Sequence, residues 1–307
     1  GSWYRRGAFR HSSRPAPMSP RSAPLAAMAA MCAIWGYSWI VMKIALRHAH
    51  PFDFAAQRLV LGALLLFAIL AASGRRLSLP GYRMAFVLGF VQVGAFVILS
   101  HYALLTAGPG KTSVLTYTMP FWMIVFAHLM IAERMRGAQW FSVALAFAGL
   151  VLVVSPWKLT SLEGSLLAVG SGAVWALAAV MSKRWPTKGA EPLTFTAWQL
   201  AFGSIPLVLL AFAHPHEGPR WNGEYALALA YSTVFATAGG WWLWTYVLSH
   251  APAGVTGLNT LAIPVIAVVA SWLQLGETPT PHELAGMAAI GGALGLLAWL
   301  GLRRSAR

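Results

Sequence analysis

Eight carboxylates, nine histidines and one cysteine are the groups of this chain with acid–base, nucleophilic or metal-binding chemistry, and their placement argues against all three uses. The carboxylates are Asp53, Glu133, Glu163, Glu191, Glu217, Glu224, Glu277 and Glu283, each at or near the end of an apolar run. A proton-coupled carrier usually keeps a titratable group at membrane depth, where charge is expensive and functional by default. No carboxylate here is deep, which points to facilitated diffusion or exchange and away from carboxylate-driven proton antiport. His101 and His128 fall in opposite halves of their runs, so a two-histidine metal site has no support, and His101 reads as a hydrogen-bonded packing residue. Cys32 is single and lies inside the first run, so no disulfide framework exists. No HExxH, CxxC or GxSxG motif occurs. Gly108-Pro109-Gly110-Lys111-Thr112 lacks the spacing of a phosphate loop and reads as a hairpin. No catalytic residue, metal or cofactor is expected.

Other residues suit binding and bending better than reaction. Trp35, Trp39 and Lys43 recur at i, i+4 and i+8, which predicts a stripe of two indoles and a cation on one helix face. Lys43 either snorkels to the outer interface or holds a carboxylate. Arg58, just inside the second run, reads as an interface anchor. Pro120 and Pro264 fall near the middles of two runs, and each deprives the carbonyl four residues earlier, Thr116 or Thr260, of its helical donor. These four residues are expected to form hinges or cavity walls, since a freed carbonyl at bilayer depth needs a new partner. Aromatics are dense, with 15 Trp, 15 Phe and 8 Tyr. Tyr117, Trp175 and Trp242 stand near these landmarks and, with Trp35 and Trp39, would contact the apolar part of a flat solute. Lys43, His101 and Asn259 would take its polar end.

The elements that must position these residues are set by composition. Hydrophobic residues make up 58% and charged residues 10%, against roughly 45–50% and about 25% in soluble domains. Apolar runs stand at about 24–46, 55–72, 82–107, 112–131, 138–155, 165–182, 193–212, 224–249, 256–275 and 283–302. Most reach the roughly 17–25 residues that cross a bilayer as a helix. The expected architecture is all-α: a polytopic membrane protein of ten transmembrane helices.

The chain also matches itself. Trp35 pairs with Trp175 and Lys43 with Lys183; Phe54, Leu59 and Gly62 pair with Phe195, Leu200 and Gly203. Tyr102, Thr112, Thr116, Pro120 and Glu133 pair with Tyr246, Thr256, Thr260, Pro264 and Glu277. Five spans per half is an odd number, so the second half enters from the opposite side, as an inverted-topology repeat. The predicted organisation is a basic segment 1–23, a first five-helix repeat 24–155, a connection 156–164, a second repeat 165–302 and a basic tail 303–307.

The net charge of +14 is topological: sixteen of the 22 cations fall on one side of this scheme, from Arg5 through Arg75, Arg134 and Lys183 to Arg307. The positive-inside rule makes both termini cytoplasmic. The cations form no groove or stripe, so no nucleic-acid partner is expected. Arginine outnumbers lysine 17 to 5 and neither Asn222 nor Asn259 begins a glycosylation sequon, in keeping with a bacterial inner membrane. Gly291 and Gly295 of the last run, and Ala144 and Ala148 of the fifth, have the small-xxx-small spacing of close helix contact, within a monomer or at a homodimer seam.

These landmarks resemble the EamA family of the drug/metabolite transporter superfamily. The resemblance covers about 24–302 and rests on Ala33-Ile34-Trp35-Gly36, the threonine-to-proline segment 112–120 and Glu133, repeated at Ala173-Val174-Trp175, 256–264 and Gly276-Glu277. Within the family the chain looks most like the YddG-type exporters of aromatic amino acids. That likeness implies a central cavity lined by spans 1, 3, 4, 6, 8 and 9, alternating access by rocking of one repeat against the other, and outward movement of aromatic or hydrophobic amino acids and related metabolites. A purine or nucleotide-derived metabolite is the alternative cargo. An integral membrane lipid enzyme would need a clustered His/Asp/Glu or Ser/His site at a span end, and none is found. Four-helix multidrug relatives carry a membrane glutamate in the first span where this chain has Trp35 and Trp39, which argues against proton-coupled export of lipophilic cations.

Overall fold

Capping chemistry sets the helix starts. In the computed structural model, which describes residues 22–305 apart from 79–80, 108–111, 113–114, 136, 155–160, 188, 214–216 and 277, every described element is helical. Helix α1 is Ser22–Ala45. Helix α2, Pro51–Ala72, starts where Pro51 cannot donate and His50 Nδ1 accepts from the Phe52 amide at 3.4 Å, with Asp53 in the first turn. Helices α3 (Tyr82–Leu88) and α4 (Phe96–Ala107) form one rod through a π-helical stretch, Gly89–Ala95. Then come α5 (Met119–Ile131), α6 (Ala138–Val154) and α7 (Leu162–Arg184), the last capped by Ser161 Oγ accepting from the Gly164 amide at 3.1 Å. Helix α8 is Pro192–Ala213. Asn222 caps α9 (Gly223–Tyr231), which continues through a π-helical stretch Ser232–Gly239 into α10 (Gly240–His250). Helices α11 (Ala253–Asn259) and α12 (Ala262–Leu275) precede α13 (Pro281–Ser305).

Among the described residues, six helices are long and apolar enough to cross a bilayer: Ala23–Ala45, Pro51–Ala72, Tyr82–Thr106, Leu162–Arg184, Pro192–Ala213 and Ala253–Gln274. Two shorter apolar ones are Met119–Ile131 and Gln139–Val153. The difference from ten uniform spans has physical causes. The run at 112–131 is interrupted by a turn at Tyr117–Thr118, beside Pro120, and the run at 224–249 is divided by its π-helical stretch. Both prolines break their helices as their chemistry requires. At the first break the Thr118 carbonyl accepts from the Phe121 amide at 3.1 Å, and the Thr118 hydroxyl donates to the Leu115 carbonyl at 2.8 Å. At the second, the Thr260 carbonyl freed by Pro264 accepts instead from the Ile263 amide at 2.9 Å, while the Thr260 hydroxyl donates to the Gly257 carbonyl at 2.6 Å. At the second break a nearby amide thus takes over the carbonyl that the proline frees.

The two halves of the chain interleave. Helix α6 packs on α13, α2 on α8, α4 and α5 on α7, α1 on α10 and α12, and α5 on α11. The closest approach of α6 and α13 is at Gly149 and Gly286, where a Cβ on Gly286 would lie 2.6 Å from the Gly149 carbonyl. Gly291 and Gly295, the residues with the expected spacing, face outward and a Cβ on either meets nothing within 4 Å. Small size matters where backbones touch, and the packing angle put the touch one turn away from the motif. The α5 and α12 helices end alike, in left-handed residues: Ala132 (φ 54°) and Gly276 (φ 68°).

Candidate functional site

The α1 face that turns inward carries Trp35, Ser38, Trp39 and Met42, at i, i+3, i+4 and i+7. They form one wall of a cavity of about 110 Å³. Phe54 and Arg58 of α2, one turn apart, form a second wall, and Phe96, Ser100, His101 and Leu104 of α4 a third. Thr112, Thr116 and Tyr117, from the broken segment before α5, complete it with Met119 at the start of α5, Trp175 of α7, Ser232 and Ala236 of the π-helical stretch, and Trp241 of α10. The lining is aromatic with hydroxyl tips, and among the described residues it contains one cation and no carboxylate.

Its floor is a tryptophan cluster. Trp35 and Trp175 meet edge to face at 5.6 Å between centroids, Trp175 lies 4.8 Å from Trp241 and 5.4 Å from Trp244, and Phe96 meets Trp175 at 4.8 Å. Such geometries contribute roughly 0.5–1.5 kcal/mol per pair beyond area burial. Trp35 is further fixed by donating Nε1–H to the Ala236 carbonyl at 2.9 Å. That carbonyl is presented by the π-helical stretch, and the indole lies so close to Gly240 that a Cβ there would sit 2.3 Å from Nε1. Higher on the same wall Trp39 donates to the Tyr117 hydroxyl at 2.7 Å. Below the cluster, toward the opposite helix ends, lies a second cavity of about 470 Å³, lined by Gln92, Lys183, Gln199, Trp244 and Ser249 among others. Gln199 donates to Gln92 at 2.8 Å across it, and Lys183 donates to the Ala251 carbonyl. Trp244 is buried and contacts both the cluster and this cavity.

Of the residues expected to bind, the structure brings together Trp35, Trp39, His101, Tyr117 and Trp175, with Thr116 beside them. Lys43, Trp242 and Asn259 lie outside the cavity lining. Lys43 is exposed: eight residues at 100° each carry it about 80° past Trp35, so Met42 occupies the inward position. Trp242 is 40% exposed and lines a separate groove with Leu65 and Ile69, while its neighbour Trp241 turns inward. Asn259 presents its carbonyl to Cys32 Sγ at 3.6 Å. Pro120, Thr260 and Pro264 shape the neighbouring helix breaks and stand outside the lining. Arg58, expected as an interface anchor, is in the wall. The signal for it was its one-turn spacing from Phe54, legible only once α1 and α4 are known to face it.

Three polar atoms of the wall are buried without a partner among the described residues: Arg58 Nε, His101 Nε2 and Trp175 Nε1. Arg58 Nη1 makes a long contact, 3.4 Å, to Thr237 Oγ1, and its Nε has none. His101 Nδ1 lies 2.8 Å from the Val97 carbonyl, and its Nε2 has no partner. Elsewhere, Glu133 Oε2 and Oε1 accept from the Ala253 and Gly254 amides, each at 3.1 Å, so this carboxylate holds the start of α11. Its repeat counterpart Glu277, the 108–111 hairpin and the termini 1–21 and 306–307 lie outside the described residues. Among the described residues no group of three His, Cys, Asp or Glu could hold a metal ion.

The sequence model of the EamA-like transporter family matches residues 22–155 and again 162–299. Similar curated proteins include the transporter YoaV of Bacillus subtilis, 27% identical over 263 residues, covering 82% of this chain and 89% of that one. A Pseudomonas aeruginosa protein is 30% identical over 298 residues, covering 94% and 99%. A solved crystal structure superposes with a TM-score of 0.77 over 92% of this chain and 98% of that chain, at 19% identity, which is a likeness of fold.

Proposed function

The chain belongs to the EamA-like transporter family, and from that premise we propose that it exports aromatic or other hydrophobic amino acids and related metabolites by alternating access. It is a multi-pass membrane protein, and its similar relatives are named as transporters. The observation that carries the finer reading is the pair of cavities at opposite helix ends, divided by Trp35, Trp175, Trp241 and Trp244. A single passage would join them; a tryptophan wall between them is what a carrier needs to open one side at a time. The first cavity is smaller than the roughly 300–1,000 Å³ of ordinary ligand pockets. An aromatic amino acid therefore enters only as the surrounding helices part.

The double match of the family model supports reading the chain as two five-helix repeats of inverted topology, and the interleaved packing gives them a surface to rock upon. Breaks beside Pro120 and Pro264 supply bending points, and at the second the freed Thr260 carbonyl is paired with the Ile263 amide. Movement is facilitative in this reading, because among the described residues the cavity lining carries no carboxylate to exchange a proton. The orientation, with both termini cytoplasmic in a bacterial inner membrane, follows from the cation bias of the loops.

Purified protein in liposomes tests this with labelled tryptophan, phenylalanine, threonine and a purine. Efflux of the aromatic amino acids faster than from empty liposomes, with no accumulation driven by an imposed pH gradient, is expected. Movement of the purine alone would remove the amino-acid assignment; movement of none would remove the export reading.

A further inference from the structure

We infer that the first cavity recognises the charged end of an α-amino acid zwitterion, with the Arg58 guanidinium taking the carboxylate and His101 Nε2 accepting from the ammonium group. This rests on the transport reading above and specifies the chemistry of its site. Arg58 stands about 10 Å along α2 from Pro51, by the 1.5 Å rise of a helix. Among the described residues no carboxylate pairs with it, and its buried Nε–H has no acceptor. A cation held at a cavity wall without a counter-ion is a receptor for an anion.

His101 supplies the opposite polarity. The Val97 carbonyl can only accept, so the 2.8 Å contact assigns the ring proton to Nδ1. Nε2 is then a bare lone pair, buried and unpartnered, on a residue only 3% exposed. Phe52 stacks against the ring with centroids 6.0 Å apart and brings no polar group to that nitrogen. Arg58 and, deeper in the wall, the Trp175 indole N–H thus lack acceptors while His101 lacks a donor, and a zwitterion provides both kinds of group. The remaining wall, Trp35, Trp39, Phe96 and Trp175, suits an apolar side chain. A single cation also matches a carboxylate better than a phosphate dianion, and it repels amines that carry no carboxylate.

The test is competition against labelled L-tryptophan exchange in liposomes by tryptamine, which lacks the carboxylate, and by indole-3-propionate, which lacks the ammonium. Each should compete at least about tenfold more weakly than unlabelled tryptophan, the effect of losing a charge-assisted hydrogen bond. Arg58→Gln should abolish the preference over tryptamine and Arg58→Lys should keep much of it; His101→Leu should abolish the preference over indole-3-propionate. Should Arg58→Gln fail to fold, the wild-type competition series and Arg58→Lys still decide. Equal competition by all three compounds would overturn the zwitterion site and leave transport standing. If leucine or threonine moves with the same Arg58 dependence and tryptophan does not, the site stands and the aromatic assignment falls. If no α-amino acid moves or competes, both fall.

Discussion

Trp39 and Tyr117 meet across a 2.7 Å hydrogen bond that joins the first helix to the broken segment before α5. Removing the acceptor leaves a half-buried indole N–H unpaired, which costs about 1–3 kcal/mol, whereas removing both partners is closer to neutral. Tyr117→Phe should therefore lower the detergent melting midpoint more than the Trp39→Phe, Tyr117→Phe pair does relative to Trp39→Phe alone; additive losses would show that the bond contributes nothing. Gly240→Ala is the sharper perturbation, because its Cβ would meet Trp35 Nε1 at 2.3 Å and force the indole off the Ala236 carbonyl. Overpacking of this kind costs roughly 1–3 kcal/mol, and the expected readout is a lower melting midpoint together with a changed tryptophan emission. At this scale the helical period puts Trp35 and Trp39 on the cavity wall and leaves Lys43 outside it. Periodicity says which residues share a face, yet one position of drift exchanges Lys43 for Met42, and Trp242 for Trp241.

Helix ends carry the second set of consequences. Ala132 and Gly276 close corresponding helices in the same left-handed conformation, and only one of them is glycine. The left-handed region costs a residue with a Cβ roughly 1–2 kcal/mol, and glycine returns part of that as unfolded-chain entropy. Ala132→Gly should thus raise the melting midpoint, and Gly276→Ala should lower it. The contact of α6 with α13 makes a second contrast. Gly286→Leu drives a side chain into the Gly149 carbonyl, whereas Gly291→Leu projects into open space. The first should abolish monodisperse elution from a sizing column and the second should leave it unchanged; the reverse would mean that Gly291 is covered in the membrane by a second copy. Prolines and apolar runs were legible in the sequence because each acts on its own neighbours. The site of closest helix approach was not, because several pairs of small residues fit it and only the crossing angle selects one.

For the whole molecule, the two cavities predict an accessibility pattern. In a Cys32→Ser background, a cysteine at Ser38 should react with a membrane-impermeant maleimide from one side of the membrane only, and one at Ser249 from the other only. Saturating tryptophan should change the two rates in opposite directions. Labelling of both positions from the same side would remove alternating access between these cavities.

What the sequence determined by itself is local or additive. Apolar length sets the solvent as lipid, and the double set of landmarks between Trp35 and Glu277 falls where the family model matches twice, at 22–155 and 162–299. The first follows from transfer free energy summed along the chain, so no neighbour needs to be known. The tertiary structure alone decided that the halves interleave, that four tryptophans from α1, α7 and α10 meet as one wall, and that Arg58 and not Lys43 stands opposite His101. These depend on the rotation of each helix about its own axis, which packing against helices far away in sequence settles.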